Sequence, residues 1–302
     1  SVYLRLMKLK NYILVGFIAI LGLSSCGKFE KFRKSASLPV KYKAAVDYYK
    51  KKDFDKASIL FDEILPLMKG DSTQEMATYY QAYCDFNLGN YTVANAHFKK
   101  FYEVFSRSEY AEEAIYMSAF SMYKDSPNFN LDQTGTLTAI NELQSYLNNY
   151  PDTKFKDECS NMIKELRRKL ERKAYEKAKL YHKTSSFNIA SLKSSVIEIT
   201  NFQRDFPDSD YNEEMAYLKV LAQFDLANST IESKQKERFS DASKFYLELV
   251  DKYPQSAFLK DAEKMYEKSN QEVERIAKLE AEQKALLEKE KSNTSKLTTS
   301  PQ

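Results

Sequence analysis

The side chains able to do covalent or acid–base chemistry are few in this chain. There are three cysteines, Cys26, Cys84 and Cys159, and two histidines, His97 and His182. Imidazole is the group that titrates near neutral pH. Yet His97 lies beside Phe98 in a helical pattern and His182 ends a charged one, positions that suit structural or surface use. A zinc site needs a dense His or Cys cluster, and neither residue type is clustered here. No glycine-rich phosphate loop or nucleophile elbow occurs among only six glycines. The expectation is a protein without catalytic residues, metal or cofactor, one that binds and does not convert.

Cys26 is the exception, because its chemistry would be done to it. Met7-Lys8-Leu9-Lys10 supplies a basic start, Ile13 to Leu23 an apolar run, and Leu23-Ser24-Ser25-Cys26 closes it. That order predicts a signal peptide over residues 1–25, too short for a permanent membrane span, with Met7 as the true start. Leu-Ser-Ser-Cys resembles the lipobox of bacterial lipoproteins. The resemblance implies that Cys26 becomes the lipidated first residue, and several acyl chains anchor far more firmly than one. Gly27 stands where some bacteria use Asp for inner-membrane retention, which favours the outer membrane. Residues 26–40 read as the lipidated N-terminus and a tether.

The elements around these residues are helical. The 14% aromatic content is all Tyr and Phe, with no Trp, and sparse glycine disfavours hairpin-rich sheets. Removing Arg5, Lys8 and Lys10 from 46 basic residues leaves 43, against 43 acidic ones. A near-neutral mature chain offers no electrostatic footprint for nucleic acid.

A phrase recurs four times: Phe105-Ser-Arg-Ser108-Glu-Tyr110, Tyr150-Pro151-Asp-Thr153-Lys-Phe155, Phe206-Pro207-Asp-Ser209-Asp-Tyr211 and Tyr253-Pro254-Gln-Ser256-Ala-Phe258. Proline stops one helix and a hydroxyl can cap the next, with an acid one turn on at Glu112, Asp157 and Glu213. Between these junctions runs a template of an aromatic, Ala three on, and a large apolar residue four further. Phe54/Ala57/Phe61, Tyr91/Ala94/Phe98 and Phe239/Ala242/Tyr246 fit it fully, and Thr136/Ala139/Leu143 and Phe187/Ala190/Ser194 in part. The pattern predicts an all-α superhelical array of about five tetratricopeptide-like hairpins over 41–257. Residues 124–135 and 228–236 read as inserted loops. A charged helix over 258–291 would cap the array or meet a partner, and 292–302 reads as a disordered tail.

Cys84 and Cys159 fall in different hairpins and read as buried free thiols, although an exported chain leaves a disulfide open. Indexed by the repeat alanines, Tyr42, Tyr49, Tyr79 and Tyr83 occupy first-helix positions that face the groove of tetratricopeptide arrays. Tyrosine there would give contact area at low entropy cost for an extended or helical peptide. Core packing is the competing reading for each.

The lipobox, tether, hairpins and junctions, with Ala114-Ile-Tyr-Met-Ser-Ala119, Tyr150–Phe155 and Arg204-Asp-Phe-Pro-Asp-Ser209, together resemble the BamD family, the YfiO/ComL-like lipoproteins of the outer-membrane β-barrel assembly (BAM) machinery. The first junction departs in lacking its proline, and the Glu/Lys helix runs past the usual end. The resemblance implies a lipid-anchored, periplasm-facing adaptor on the outer membrane. It would bind the BamA-like barrel-forming subunit and other components of the complex and recruit unfolded outer-membrane proteins. The alternative is a lipid-anchored repeat scaffold for cell-wall or other envelope complexes.

Overall fold

The structure, a computed structural model, describes residues 29–30, 32–34, 37–185 and 188–298. The expected signal segment 1–25 and Cys26 lie outside them. Helices pair as antiparallel hairpins: α1 (Leu38–Lys50) with α2 (Phe54–Ile64), α3 (Gln74–Asn87) with α4 (Tyr91–Val104), and α5 (Ala111–Asp125) with α6 (Thr134–Asn149). Then come α7 (Lys156–Lys183), α8 (Ile189–Asp205), α9 (Asn212–Ser229), α10 (Glu232–Lys252) and α11 (Leu259–Thr298). The chain divides into two compact units between Arg167 and Arg168. Among the described residues no helix is long and apolar enough to cross a membrane.

The second helix of every hairpin buries the same ladder, a small residue followed at +4 and +7 by large ones. Ala57, Phe61 and Ile64, then Ala94, Phe98 and Phe101, are fully buried, as are Ala139 and Leu143 with Tyr146 beneath them. In α10 Ala242 and Leu249 are buried and Tyr246 half-buried. The spacing of four and three keeps one stripe of a helix inward, and the small residue allows close helix approach. In the fourth hairpin the expected register is corrected. Ala190 is exposed in the first turn of α8, where Asn188 accepts its amide at 2.8 Å. The small buried position is Ser195, followed by buried Ile199 and Phe202. Asn188 starts the helix, so Ala190 falls in its first turn and not on its core face. The Ser195 hydroxyl is buried without a hydrogen-bond partner. Ser195→Ala is therefore expected to stabilise the protein by about 1 kcal/mol, since an unsatisfied buried hydroxyl is costly. A lowered urea midpoint for this variant would refute the register.

The junctions share one geometry, and among the described residues a fifth joins the four read from the sequence. At each, the amide of the fourth residue bonds the carbonyl of the first: Ser108 to Phe105, Thr153 to Tyr150, Ser209 to Phe206, Ser256 to Tyr253, at 2.9–3.2 Å. Met68-Lys-Gly-Asp71-Ser-Thr73 does the same, Asp71 bonding Met68 at 2.9 Å. The hydroxyls do not cap the next first turn as expected. Each accepts the amide two residues on, Tyr110, Phe155, Tyr211 and Phe258, at 3.1–3.3 Å, and Asp71 accepts that of Thr73 at 2.7 Å. This locks the turn that precedes the helix, the local role expected of Ser, Thr and Asp in turns. Ser108 and Thr153 also donate back to Glu75 and Glu112 at 2.6 and 2.8 Å, closing their own hairpins.

Within hairpins one and two the turns are superimposable in their bonding. Lys52 and Gly89 each donate to a carbonyl three residues back, and the next residue to one five back. Gly89 has φ +79° and Lys52 φ 60°. A lysine in the left-handed region carries a steric cost that glycine does not. Lys52→Gly should raise stability by about 1 kcal/mol, read as an increased unfolding midpoint.

Three expectations are corrected at the edges. Within the stretch read as a tether, two described parts are docked: α1 already begins at Leu38, and Phe29 is buried, edge-on to Tyr48 at 5.7 Å. Of the loop expected over 228–236, only Thr230 and Ile231 separate α9 from α10. Finally α11 continues to Thr298, where an unstructured tail was expected from Ser292. Its first half does cap, burying Ala262, Met265, Ser269 and Ile276. The next turns are exposed, Leu286 and Leu287 among them. The loop expected near Pro127 is present between α5 and α6.

Candidate functional site

The polar residues singled out by type sit in structural settings. His97 Nδ1 lies 2.8 Å from Asp85, beside Gln81, which donates to Ser58 and Asp62 at 3.1 and 2.9 Å. Those bonds stitch the first two hairpins together. Asp62 has its pKa raised by burial and by the nearby Asp85 carboxylate. His182 faces Asp225 at 3.8 Å. Cys84 and Cys159 are buried and free. Burial pushes their thiols up to about 12 and about 11, away from the reactive thiolate. Among the described residues no group of three or more potential ligands could hold a metal ion.

The first helices carry a second ladder, and it is aromatic. Five tyrosines stand three residues before a buried small or β-branched residue: Tyr42 before Ala45, Tyr79 before Ala82, Tyr116 before Ala119, Tyr175 before Ala178 and Tyr217 before Val220. The aromatic that closes each junction reaches back to one of them. Tyr79 meets Tyr110 at 4.8 Å, Tyr116 stacks on Phe155 at 3.8 Å, Tyr175 on Tyr211 at 4.0 Å, and Tyr217 on Phe258 at 4.8 Å. Three residues past each junction aromatic stands a carboxylate. Tyr175 donates to Glu214 at 2.7 Å and Tyr217 to Asp261 at 2.7 Å. Burial and the Glu158 carboxylate raise the Tyr116 pKa well above the phenol range. Offset stacks of this kind add to what burial alone contributes. Each of these four stacks ties a first helix to the junction that follows its hairpin.

One and four residues after the small positions, the aromatics of the first unit, Tyr49, Tyr83, Phe86, Phe120 and Tyr123, are half-buried and form a strip of ring pairs along the first helices. Tyr49 lies 4.5 Å from Tyr80, Tyr83 packs edge-on to Phe98 at 5.0 Å, and Phe86 stacks on Phe120 at 5.4 Å. Phe120 in turn lies 5.8 Å from Tyr116 and 5.9 Å from Tyr123. Tyr83 donates to Glu113 and Tyr123 to Glu165. Lys124 and Lys154 sit over Phe120 and Phe155. Burial raises the Tyr49 phenol to about 12, and the bond to Glu165 brings Tyr123 to about 12. Such phenols stay protonated at neutral pH, so the strip offers ring surface, fixed O–H donors and carboxylate acceptors.

Of the four tyrosines expected to line a groove, Tyr42, Tyr49 and Tyr83 are half-buried. Tyr79 is only 7% exposed and belongs to the packing ladder. Tyr80, Phe86, Phe120 and Tyr123 are half-buried too and were not among the expected groove residues. Indexing from Ala119, as from Ala45 and Ala82, would have found Phe120 and Tyr123.

Antiparallel helix pairs with small residues at the helix contacts and a recurring bound turn define a tetratricopeptide-like repeat protein, a class built for contact with other proteins. The chain belongs to the YfiO family of outer membrane lipoproteins, whose family model matches residues 36–192 and 185–292. That membership makes it a helical-repeat protein of the cell envelope. No curated protein matches it. Among solved structures it is similar to the TPR2AB domain–pHSP90 complex of yeast Sti1, at 14% identity and a TM-score of 0.36, over 77% of this chain and 98% of that one. The hairpins themselves, and not that likeness, define the fold.

Proposed function

We propose that this protein is a lipid-anchored, periplasm-facing adaptor of the outer-membrane β-barrel assembly machinery. In this reading it binds the BamA-like subunit and other members of the complex and recruits unfolded outer-membrane proteins. Membership of the YfiO family, with a match running from residue 36 to 292, is the observation that carries the proposal. The half-buried aromatic strip, which includes Tyr49 and Tyr83, supports it by supplying a face suited to an extended peptide, and Tyr42 is half-buried on the same first helix as Tyr49. Aromatic rings give large contact area with few rotors to freeze. The acyl chains on Cys26 would hold adaptor and partner in one plane, raising their effective concentration.

Depletion of the protein tests this reading directly. Outer-membrane β-barrels should fall in abundance and a BamA-like subunit should co-purify with the tagged chain. Unchanged barrel levels with cell-wall enzymes as the co-purifying partners would replace it with the scaffold reading. Fatty-acid labelling of the wild type and of Cys26→Ala tests the anchor separately; label retained by the variant refutes attachment at Cys26.

A further inference from the structure

The residues just past the lipidation position are held, and the way they are held gives the first hairpin an orientation. Phe29 is buried against the hairpin-one core, edge-on to Tyr48 near the C-terminal end of α1. Four residues on, Arg33 Nε donates to Glu63 at 2.6 Å, and Lys41 in the first turn of α1 donates to the same carboxylate at 2.9 Å. Glu63 lies in the last turn of α2, so the contacts run from the turn end of the hairpin at Phe29 toward its junction end at Arg33. The chain therefore enters from the turn end. At that end lie Lys50, Lys51 and Lys52, three consecutive exposed lysines, while Asp53 is engaged by Lys56 at 2.5 Å.

Chain reach sets the scale. Three Cα-to-Cα steps lead from Cys26 to Phe29 and span at most about 11 Å. An unheld linker from Gly27 to Ser37 would average about 18 Å end to end and could stretch to about 37 Å. We propose that the turn end of the first hairpin, with Lys50, Lys51 and Lys52, is apposed to the anionic headgroups of the membrane that carries the anchor, held there by the Phe29 and Arg33 contacts. Clustered lysines close to an anionic leaflet are drawn to it, and the short leash keeps them within a Debye length. The inference rests on acylation at Cys26.

The chain has no tryptophan, so one introduced at Ile59, an exposed residue of α2, is a clean reporter. The full acylated protein carrying Ile59→Trp is reconstituted into phosphatidylethanolamine vesicles with or without phosphatidylglycerol, with dansyl-labelled headgroups as energy acceptor. Transfer should rise when phosphatidylglycerol is present. It should fall about twofold or more when Phe29→Ala and Arg33→Ala lengthen the leash. Lys50→Gln, Lys51→Gln and Lys52→Gln together touch only exposed side chains and should remove the phosphatidylglycerol increment with helical content unchanged. Acylated protein whose transfer ignores both sets of substitutions overturns this inference and leaves the anchor standing. Protein that carries no acyl chain at Cys26 overturns the anchor and the inference together.

Discussion

Phe98→Ala is expected to lower the free energy of unfolding by about 4 kcal/mol, the cost of emptying a fully buried aromatic position on a second helix. Phe98 is fully buried, stands four residues after the buried Ala94, and receives the edge of Tyr83 at 5.0 Å. Truncation removes the ring's transfer energy and leaves a cavity that the neighbouring Phe101 and Ala94 backbones are too constrained to close. Val93, one residue before Ala94, is 46% exposed. Val93→Ala should change stability by less than about 0.5 kcal/mol. Urea titration of the two variants makes the comparison. Near-equal losses would mean that the buried ladder does not carry the hairpin.

Phe86→Ala with Phe120→Ala is expected to weaken binding of an extended client peptide about 30-fold or more, at roughly 1 kcal/mol or more for each anchor lost from the strip. Both rings are half-buried and stacked on each other at 5.4 Å, so the pair removes the centre of the strip while Phe98, Leu143 and the small residues beneath remain. Anisotropy with a labelled C-terminal peptide of an unfolded outer-membrane protein gives the affinity. Circular dichroism reports the fold. Unchanged affinity with intact helicity would remove the strip from the binding surface, and loss of helicity would make these rings core residues.

Why the hairpins were legible and parts of the site were not comes down to which pattern each residue obeys. Ala57, Ala94, Ala139 and Ala242 announce a helix contact because only a small side chain fits there, and the spacing to Phe61, Phe98 and Leu143 repeats. Ser195 does the same task with a polar side chain, and Phe187-Ala190 nearby imitates the motif, so local resemblance outweighed register. The junction after hairpin one lacks both aromatic and proline. Met68 and Asp71 still make its bonds, because the turn needs an apolar plug and an acceptor and is indifferent to which residues supply them. Tyr79 and Tyr83 sit four apart on one helix, and sequence cannot tell which is covered. Tyr110, contributed by the next hairpin, covers Tyr79 and leaves Tyr83 half open. Phe29 was read as tether because its helical partners, Tyr48 and Glu63 through Arg33, lie far along the chain.

The stacked tyrosines bear on how the molecule comes apart. Tyr79, Tyr116, Tyr175 and Tyr217 each lose their covering ring when the following hairpin opens. A hairpin is then stable only in company, and the chain should behave as a set of coupled neighbours, not as independent modules. Native-state hydrogen exchange should show amides of α3 and α5 sharing their protection with the junctions that follow them, and fraying that starts at a free end and passes inward one hairpin at a time.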